Sequence, residues 1–310
     1  MTSVGDKRVR INICILTYRR PDLLGNCLQS LTGLREIDGV ELLVTVIEND
    51  TEQLSRALVE QFDTQGRFGI HYRCEPQRGI PVARNNALEF CLAEACDYVV
   101  FIDDDEWVDA DWLSELYGYC QQQGGDIVVS GKVIPIFPEN TPPEISGLIK
   151  AKERPTGTDL TACATNNVIL PIRLARELGL RFDISVPLAG GTDTKFFFAA
   201  HQLGVQIKKC DEAVVFERIP ESRARIKWMQ GRKYRAGITE TWRRRQQGQG
   251  VVKILTSALF SIISNLIKTL VFTCVGRKLK RNQAWLRVHK ALGACAGLRG
   301  KEVESYKVTD

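Results

Sequence analysis

The chain has 310 residues, 44% hydrophobic and 25% charged, a composition that excludes collagen-like, low-complexity and disordered classes and allows one large or two modest folded domains. Its ten cysteines are scattered singly without a CxxC pair, the N-terminal MTSVGDKRVR lacks a signal-peptide apolar stretch, and His71, His201 and His289 lie far apart, so a reducing compartment is expected and a disulfide framework or zinc site is not. The formal net charge of +5 conceals a division: residues 1–217 hold 21 Lys+Arg against 32 Asp+Glu, net −11, and residues 218–310 hold 21 against 5, net +16, so the C-terminal third faces an anionic partner.

Residues 9–16 (VRINICIL) and 40–47 (VELLVTVI) predict strands, and between them Leu23, Leu24, Cys27, Leu28 and Leu31 have helical spacing. A helix is predicted over 80–95. Tyr98 to Ile102 then forms a short, fully apolar run of the kind found in buried parallel strands. A helix over 111–123 and an apolar segment from Asp126 to Phe137 continue the alternation, which is that of an open α/β sheet with ligands at the carboxyl ends of its strands. Residues 138–161, rich in Pro, Gly and Thr, predict a long surface loop, followed by a strand over 162–170 and a helix over 171–180.

Asp103, Asp104, Asp105 and Glu106 follow the apolar run directly. Four successive acids repel one another unless a cation or hydrogen-bond donors neutralise them. Oxygen ligands of this type suit Mg²⁺ or Mn²⁺, which commonly bridges substrate phosphates. The alternative is an acidic loop whose charges are simply solvated.

Six motifs in order, ICILTYRRP, VIEND, EPQRGIPVARNNAL, FIDDDEWVDADWL, GGTDTKFFF and ERIPESRARIKWMQGRKYRAG, run from about Asn12 to Gly237. On these motifs the chain resembles the family 2 glycosyltransferases with the GT-A fold, most closely the bacterial branch of succinoglycan-type polysaccharide glucosyltransferases. The resemblance implies an α/β, Rossmann-like, mixed and mainly parallel sheet flanked by helices. It also implies metal-dependent transfer of a sugar from a nucleotide-sugar donor, with a UDP-sugar favoured, and inversion at the anomeric carbon.

Carried over residue by residue, it places Thr17, Tyr18 and Arg19 at the nucleoside and Glu48 and Asn49 at the base, with Glu48 standing where Asp is commoner. Arg84 and Asn85 are implied at the donor's phosphate or sugar. Asp105 is the implied principal metal ligand, Asp103 a contact to ribose or metal, and Asp104 a contact to the donor sugar. Sugar transfer also needs a base for the acceptor hydroxyl. In the family this is the Asp of a GGED segment, here Gly190-Gly191-Thr192-Asp193, which makes Asp193 the catalytic candidate; Lys195 stands where relatives often carry a second acid. Asp193 could instead cap the helix that follows. Arg223, Arg225, Arg232 and Arg235 lie where related enzymes place cations facing the leaving group or an anionic acceptor, although any one of them alone fits a solvated surface residue.

From Val251 to Val275 apolar pairs recur near a helical period, with Lys253, Ser257, Ser261, Ser264, Asn265 and Lys268 on one side. The uninterrupted apolar stretch between the lysines falls short of the roughly 20 residues that cross a bilayer. An interfacial helix is therefore expected, flanked by Arg243 to Arg245 and by Arg277 to Arg281, with a second amphipathic segment over 284–298. Ordinary packing on the catalytic domain or a partner is the alternative. Residues 1–245 are accordingly read as the catalytic domain and 246–310 as a basic, membrane-associating tail. The expected partners are a nucleotide-sugar donor, a lipid-linked or oligosaccharide acceptor and an anionic membrane at the cytoplasmic face of the inner membrane. Nucleic acid is not expected, because aromatic residues are not interleaved with the basic ones. A nucleotidyltransferase lacks its glycine-rich loop here, while an inactive sugar- or lipid-binding scaffold is the competing class.

Overall fold

A strand covered on both faces has to be apolar at almost every position, and β1 (Val9–Thr17) is: Ile11, Ile13 and Ile15 point to one side, Asn12 and Cys14 to the other, all without solvent exposure. The computed structural model describes residues 8–150, 153–185 and 190–300. After β1 come α1 (Pro21–Leu31), β2 (Val40–Glu48), α2 (Arg56–Glu60), β3 (Gly69–Cys74), α3 (Ile80–Ala93), β4 (Tyr98–Asp103) and β5 (Glu106–Val108). The chain continues through α4 (Trp112–Gln122), β6 (Val128–Ile136), α5 (Pro143–Ser146), β7 (Val168–Pro171), α6 (Arg173–Arg176), α7 (Thr192–Gln202) and β8 (Ile207–Arg218). Three long helices follow: α8 (Ile226–Gln246), α9 (Val251–Cys274) and α10 (Lys278–Gly297).

The eight strands form one mixed sheet in the order β3-β2-β1-β4-β7-β6-β8-β5. The first four are parallel, with Thr17 level with Glu48 and Leu16 level with Asp103, so the ends of β1, β2 and β4 share one rim. The β4/β7, β6/β7 and β5/β8 pairs are antiparallel. One side of the sheet packs Leu24, Leu28, Trp112 and Leu116 against Ile11, Ile13, Val44 and Ile102. The other packs Ala87, Leu88, Phe196 and Phe197 against Cys14, Ile47, Phe101 and Leu170. Asn12, buried within this layer, exchanges hydrogen bonds with Thr45 Oγ1 at 3.0 and 3.1 Å, which satisfies a polar group that would otherwise be costly there.

The sequence reading differs from the structure where local pattern is weak. The strand expected over 162–170 begins only at Val168, because Asn167 takes a positive φ of 132° and breaks the extended run. The helix expected over 171–180 is a single turn, α6. β3, β8 and α8 lie in stretches for which no strand or helix was predicted.

By packing, residues 8–134, 153–185 and 192–217 form one compact unit, and residues 135–150, 190–191 and 218–300 form another. The compositional boundary at 245/246 therefore falls at the end of α8, which packs with the helical unit. The reason is a close backbone crossing of α8 and α10: a Cβ on Gly237 would strike the Lys290 carbonyl, one on Gly293 would strike the Tyr234 carbonyl, and Thr241 Oγ1 donates to the Ala294 carbonyl at 3.2 Å. Gly293→Ala is expected to cost about 1–3 kcal/mol as an overpacked contact. A thermal melt reads this as a lower midpoint, and an unchanged midpoint would contradict the crossing. In the same unit Arg223 and Arg232 lie over the ring of Trp228, at 5.8 and 5.5 Å.

Candidate active site

The rim shared by β1, β2 and β4 gathers most of the chemistry-bearing residues. β1 ends in Thr17, whose hydroxyl donates to Asp104 Oδ2 at 2.8 Å. Arg20, three residues on, places Nη2 at 2.6 Å from Asp104 Oδ1 and Nη1 at 3.2 Å from Asp105 Oδ2, so one guanidinium spans two carboxylates. The Asp104 Oδ1 contact is charge on charge, since that oxygen receives no aligned hydrogen bond. Asp104 has no solvent exposure, and desolvation pushes its carboxyl up to about 7 even though Arg20 and Thr17 pull the other way.

Behind this pair Glu106 is also buried. Its Oε2 accepts the backbone N–H of Asp103 at 2.9 Å, and its Oε1 accepts Asn166 Nδ2 at 2.9 Å. Burial foremost, then the charge of Asp103, raises its carboxyl well above the usual range. The neighbouring Asn167, strained at φ 132°, accepts Trp112 Nε1–H at 2.9 Å and donates to the carbonyls of Lys132 and Ala213 at 2.8 and 2.9 Å. Asn166 is thereby held against the acidic turn by a residue fixed to α4, β6 and β8. Asn166→Ala is expected to leave a buried Glu106 oxygen unpaired, at about 1–3 kcal/mol, and to loosen the turn that carries Asp103. Denaturant unfolding measures the first effect; stability equal to wild type would rule the brace out.

The donor chemistry of this residue set, carboxylate oxygen, is the kind that Mg²⁺ or Mn²⁺ takes. Asp103 is half-buried and Asp105 is 8% exposed, and a cation already satisfies part of the acid run in the form of Arg20. Mg²⁺ or Mn²⁺ in such a place takes one or two carboxylates and completes its shell with water and substrate phosphates. Among the described residues no group of three or more His, Cys, Asp or Glu side chains is placed to hold a metal ion.

Tyr18 stands at the mouth of the rim with Arg19 at 5.3 Å and Arg78 at 5.0 Å from its ring centre. Arg19, in left-handed backbone at φ 54°, reaches Asp50 at 2.5 Å and Glu52 at 2.6 Å, and its hydrogen bond holds the Asp50 carboxyl below the usual range. Two guanidinium groups over one ring gather positive charge beside the acid run, a chemistry that suits phosphate.

Four residues expected at the donor are occupied inside the protein. Glu48 is fully buried: its oxygens accept the Ser55 backbone N–H at 3.0 and 3.2 Å, the Ser55 hydroxyl at 3.2 Å and the Tyr72 hydroxyl at 2.8 Å. It braces the loop after β2. Asn49 donates to the Glu75 and Gln77 carbonyls at 3.0 and 2.8 Å and accepts Gly79 N–H at 2.7 Å, clamping the β3–α3 connection. Asn85 exchanges hydrogen bonds of 2.8 and 2.9 Å with the backbone of Phe182. Asp104 lies beneath the rim, locked as described, rather than open to a sugar. In each case the side chain is consumed by neighbours, from Ser55 seven residues after Glu48 to Phe182 ninety-seven residues after Asn85.

Arg84 projects from α3 over the ring of Phe182 at 5.4 Å and donates to Thr192 Oγ1 at 3.3 Å, at the start of α7. Asp193 sits in the first turn of α7, half-buried, with Oδ1 accepting Thr194 N–H at 2.8 Å. It lies within the helix and is not its cap. Lys195 is paired with Asp183 at 3.0 Å, and the Asp183 carboxyl is held down at about 2, chiefly by the Ser185 hydroxyl and backbone and then by Lys195. The residues missed from sequence are Arg20, Arg78, Asn166 and Asn167; the paired amides ahead of the apolar VILP run were the available signal for the last two.

Residues 12–168 match the family described as Glycosyl transferase family 2. Over 304 residues the chain is 32% identical to the succinoglycan biosynthesis protein ExoM of Rhizobium meliloti (strain 1021), covering 97% of each chain. The chain belongs to glycosyl transferase family 2. This family 2 enzyme is a glycosyltransferase, and its fold is the GT-A arrangement. It is similar to the crystal structure of S. aureus TarS 1-349, with a TM-score of 0.56 at 13% identity over 90% of each chain. It is likewise similar to TarS 1-349 in complex with UDP-GlcNAc, with a TM-score of 0.54 at 14% identity over 90% of each chain.

Proposed function

We propose that the enzyme moves a sugar from a nucleotide-sugar donor, first among them a UDP-sugar, to a lipid-linked saccharide acceptor in bacterial surface polysaccharide assembly at the cytoplasmic face of the inner membrane. The observation that carries the reading is the acid run at the carboxyl end of β4, braced by Thr17, Arg20, Glu106 and Asn166 in a family 2 chain. The solved relative in complex with UDP-GlcNAc supports a donor of this class, and the relation to a succinoglycan biosynthesis protein supports the acceptor class.

In this mechanism Tyr18, Arg19 and Arg78 receive the nucleoside end of the donor. Asp103 and Asp105 are the residues that would hold Mg²⁺ or Mn²⁺, which when bound supplies positive charge to the departing diphosphate. Arg84, whose guanidinium has a hydroxyl and an aromatic ring as neighbours, adds a fixed cation for phosphate or sugar oxygens. The Asp193 carboxylate takes the proton of the acceptor hydroxyl as that oxygen attacks the anomeric carbon, the bond to the nucleoside diphosphate breaks on the opposite side, and the configuration inverts.

The test is transfer from a panel of radiolabelled nucleotide sugars to bacterial membranes, followed by extraction into organic solvent. Label from one donor is expected in the lipid fraction. Label that reaches only water-soluble saccharide would reject the lipid-linked acceptor, and no transfer from any donor would favour a sugar-binding scaffold.

A further inference from the structure

A helix on a soluble protein turns its apolar stripe inward and its polar side to water. α9 leaves most of its apolar residues outside. Its inward residues are Ile254, Ala258 and Asn265, and Asn265 spends its amide on the Ser261 carbonyl at 2.7 Å. Its outward residues include Leu255, Leu259, Phe260, Ile263, Ile267 and Leu270, with Phe260 75% and Leu270 66% exposed. At about 100° per residue these six fall within one arc of roughly 140° along the helix. Lys253 and Lys268, both exposed, lie on the side of the helix next to that arc.

The surroundings decide what covers this face. From Thr241 to Gly300 the sequence holds twelve Lys and Arg and no Asp or Glu. Arg277, Lys278 and Lys280 follow the end of α9 and are exposed, and Arg243 to Arg245 precede its start. A contiguous apolar arc with a predominantly basic border, in which Lys278 is paired with Glu144 at 3.6 Å and Arg243 with Glu240 at 2.9 Å, matches an anionic bilayer, which offers hydrocarbon and phosphate side by side. A second copy of this face would set one predominantly basic border against another. Nucleic acid would leave the apolar arc in water.

We propose that α9 is an in-plane anchor, lying along an anionic bilayer with its exposed apolar arc in the boundary between headgroups and acyl chains and its basic flanks on lipid phosphate. Its 24 residues are long and apolar enough to cross a membrane. Crossing would strip α9 from α10, along which it packs, and carry Asn265 and Lys268 into hydrocarbon. Lying flat leaves that packing intact and lets both lysines reach the headgroups. The anchor rests on the lipid-linked acceptor reading for its purpose and deepens it by naming the surface that meets the leaflet.

The full-length protein is to be floated with phosphatidylcholine vesicles, alone or mixed with phosphatidylglycerol, at low and high salt. Wild type is expected to bind the mixed vesicles and to be weakened by salt. Arg277→Gln with Lys280→Gln is expected to lose about fivefold per charge removed, and Leu259→Ser with Phe260→Ser and Ile263→Ser is expected to abolish binding. Because these side chains are exposed, both variants are expected to keep the wild-type melting temperature and nucleoside-diphosphate binding. Equal vesicle binding by wild type and variants would overturn the proposal. So would a wild-type dimer that the apolar variant dissolves, DNA binding as tight as vesicle binding, or retention in the bilayer under alkaline carbonate. Vesicle binding without nucleotide binding leaves the anchor standing and removes the donor site, and the converse removes the anchor alone.

Discussion

Asp193→Asn is expected to lower the turnover number for sugar transfer by a factor of about 10²–10⁴, the range that a positioned general base supplies, while nucleoside-diphosphate binding and melting temperature stay at wild-type values. The reasoning starts from where the side chain sits. Asp193 is half-buried in the first turn of α7, one oxygen accepts the Thr194 N–H, and among the described residues the other takes no hydrogen bond. Asparagine keeps the volume and an acceptor for the Thr194 N–H but cannot take a proton, so the substitution separates chemistry from helix geometry. A fall in melting temperature with turnover preserved would assign Asp193 to the helix start and move the base elsewhere.

Asp105→Ala is expected to abolish transfer and to remove the metal dependence of donor binding. Losing even an outer-sphere partner of a bound metal costs about 10–100-fold in affinity, so loss of the proposed principal ligand is expected at the upper end of that range or beyond. Asp105 is the member of the acid run that is both at the rim and shared with Arg20 at 3.2 Å. Removing it leaves Arg20 on Asp104, 2.6 Å away and fully buried. Donor titration with and without Mn²⁺ measures the effect, and an Asp105→Ala protein that still responds to Mn²⁺ would transfer the metal role to other residues.

How much of this was legible in the sequence depended on whether the signal was local. β1, β2 and β4 announce themselves as continuous apolar runs, and α1 through the spacing of Leu24, Cys27, Leu28 and Leu31, because burial on both sheet faces or along one helix stripe leaves a periodic trace. β8 leaves none, since Lys208, Lys209, Asp211 and Glu212 interrupt it. α8 packs through glycines, which carry no hydrophobic pattern.

The candidate site divides the same way. Asp103 to Glu106 are adjacent in sequence and visible at once. Arg20 meets Asp105 across 85 residues and Asn166 meets Glu106 across 60, distances over which only the sheet order brings groups together. Family position placed Glu48, Asn49 and Asn85 at the donor. Residue type could not reveal that Ser55, Tyr72, the β3–α3 connection and Phe182 would claim their hydrogen bonds.

The measurement that tests the central claim most directly is a calorimetric titration of the folded protein with UDP, GDP, CDP and dTDP, each with and without Mn²⁺. One nucleotide is expected to bind in a Mn²⁺-dependent manner, UDP first among them, and Asp105→Ala is expected to lose that dependence. Failure of all four to bind a protein with an intact thermal transition would contradict a nucleotide-sugar site at the carboxyl end of β4.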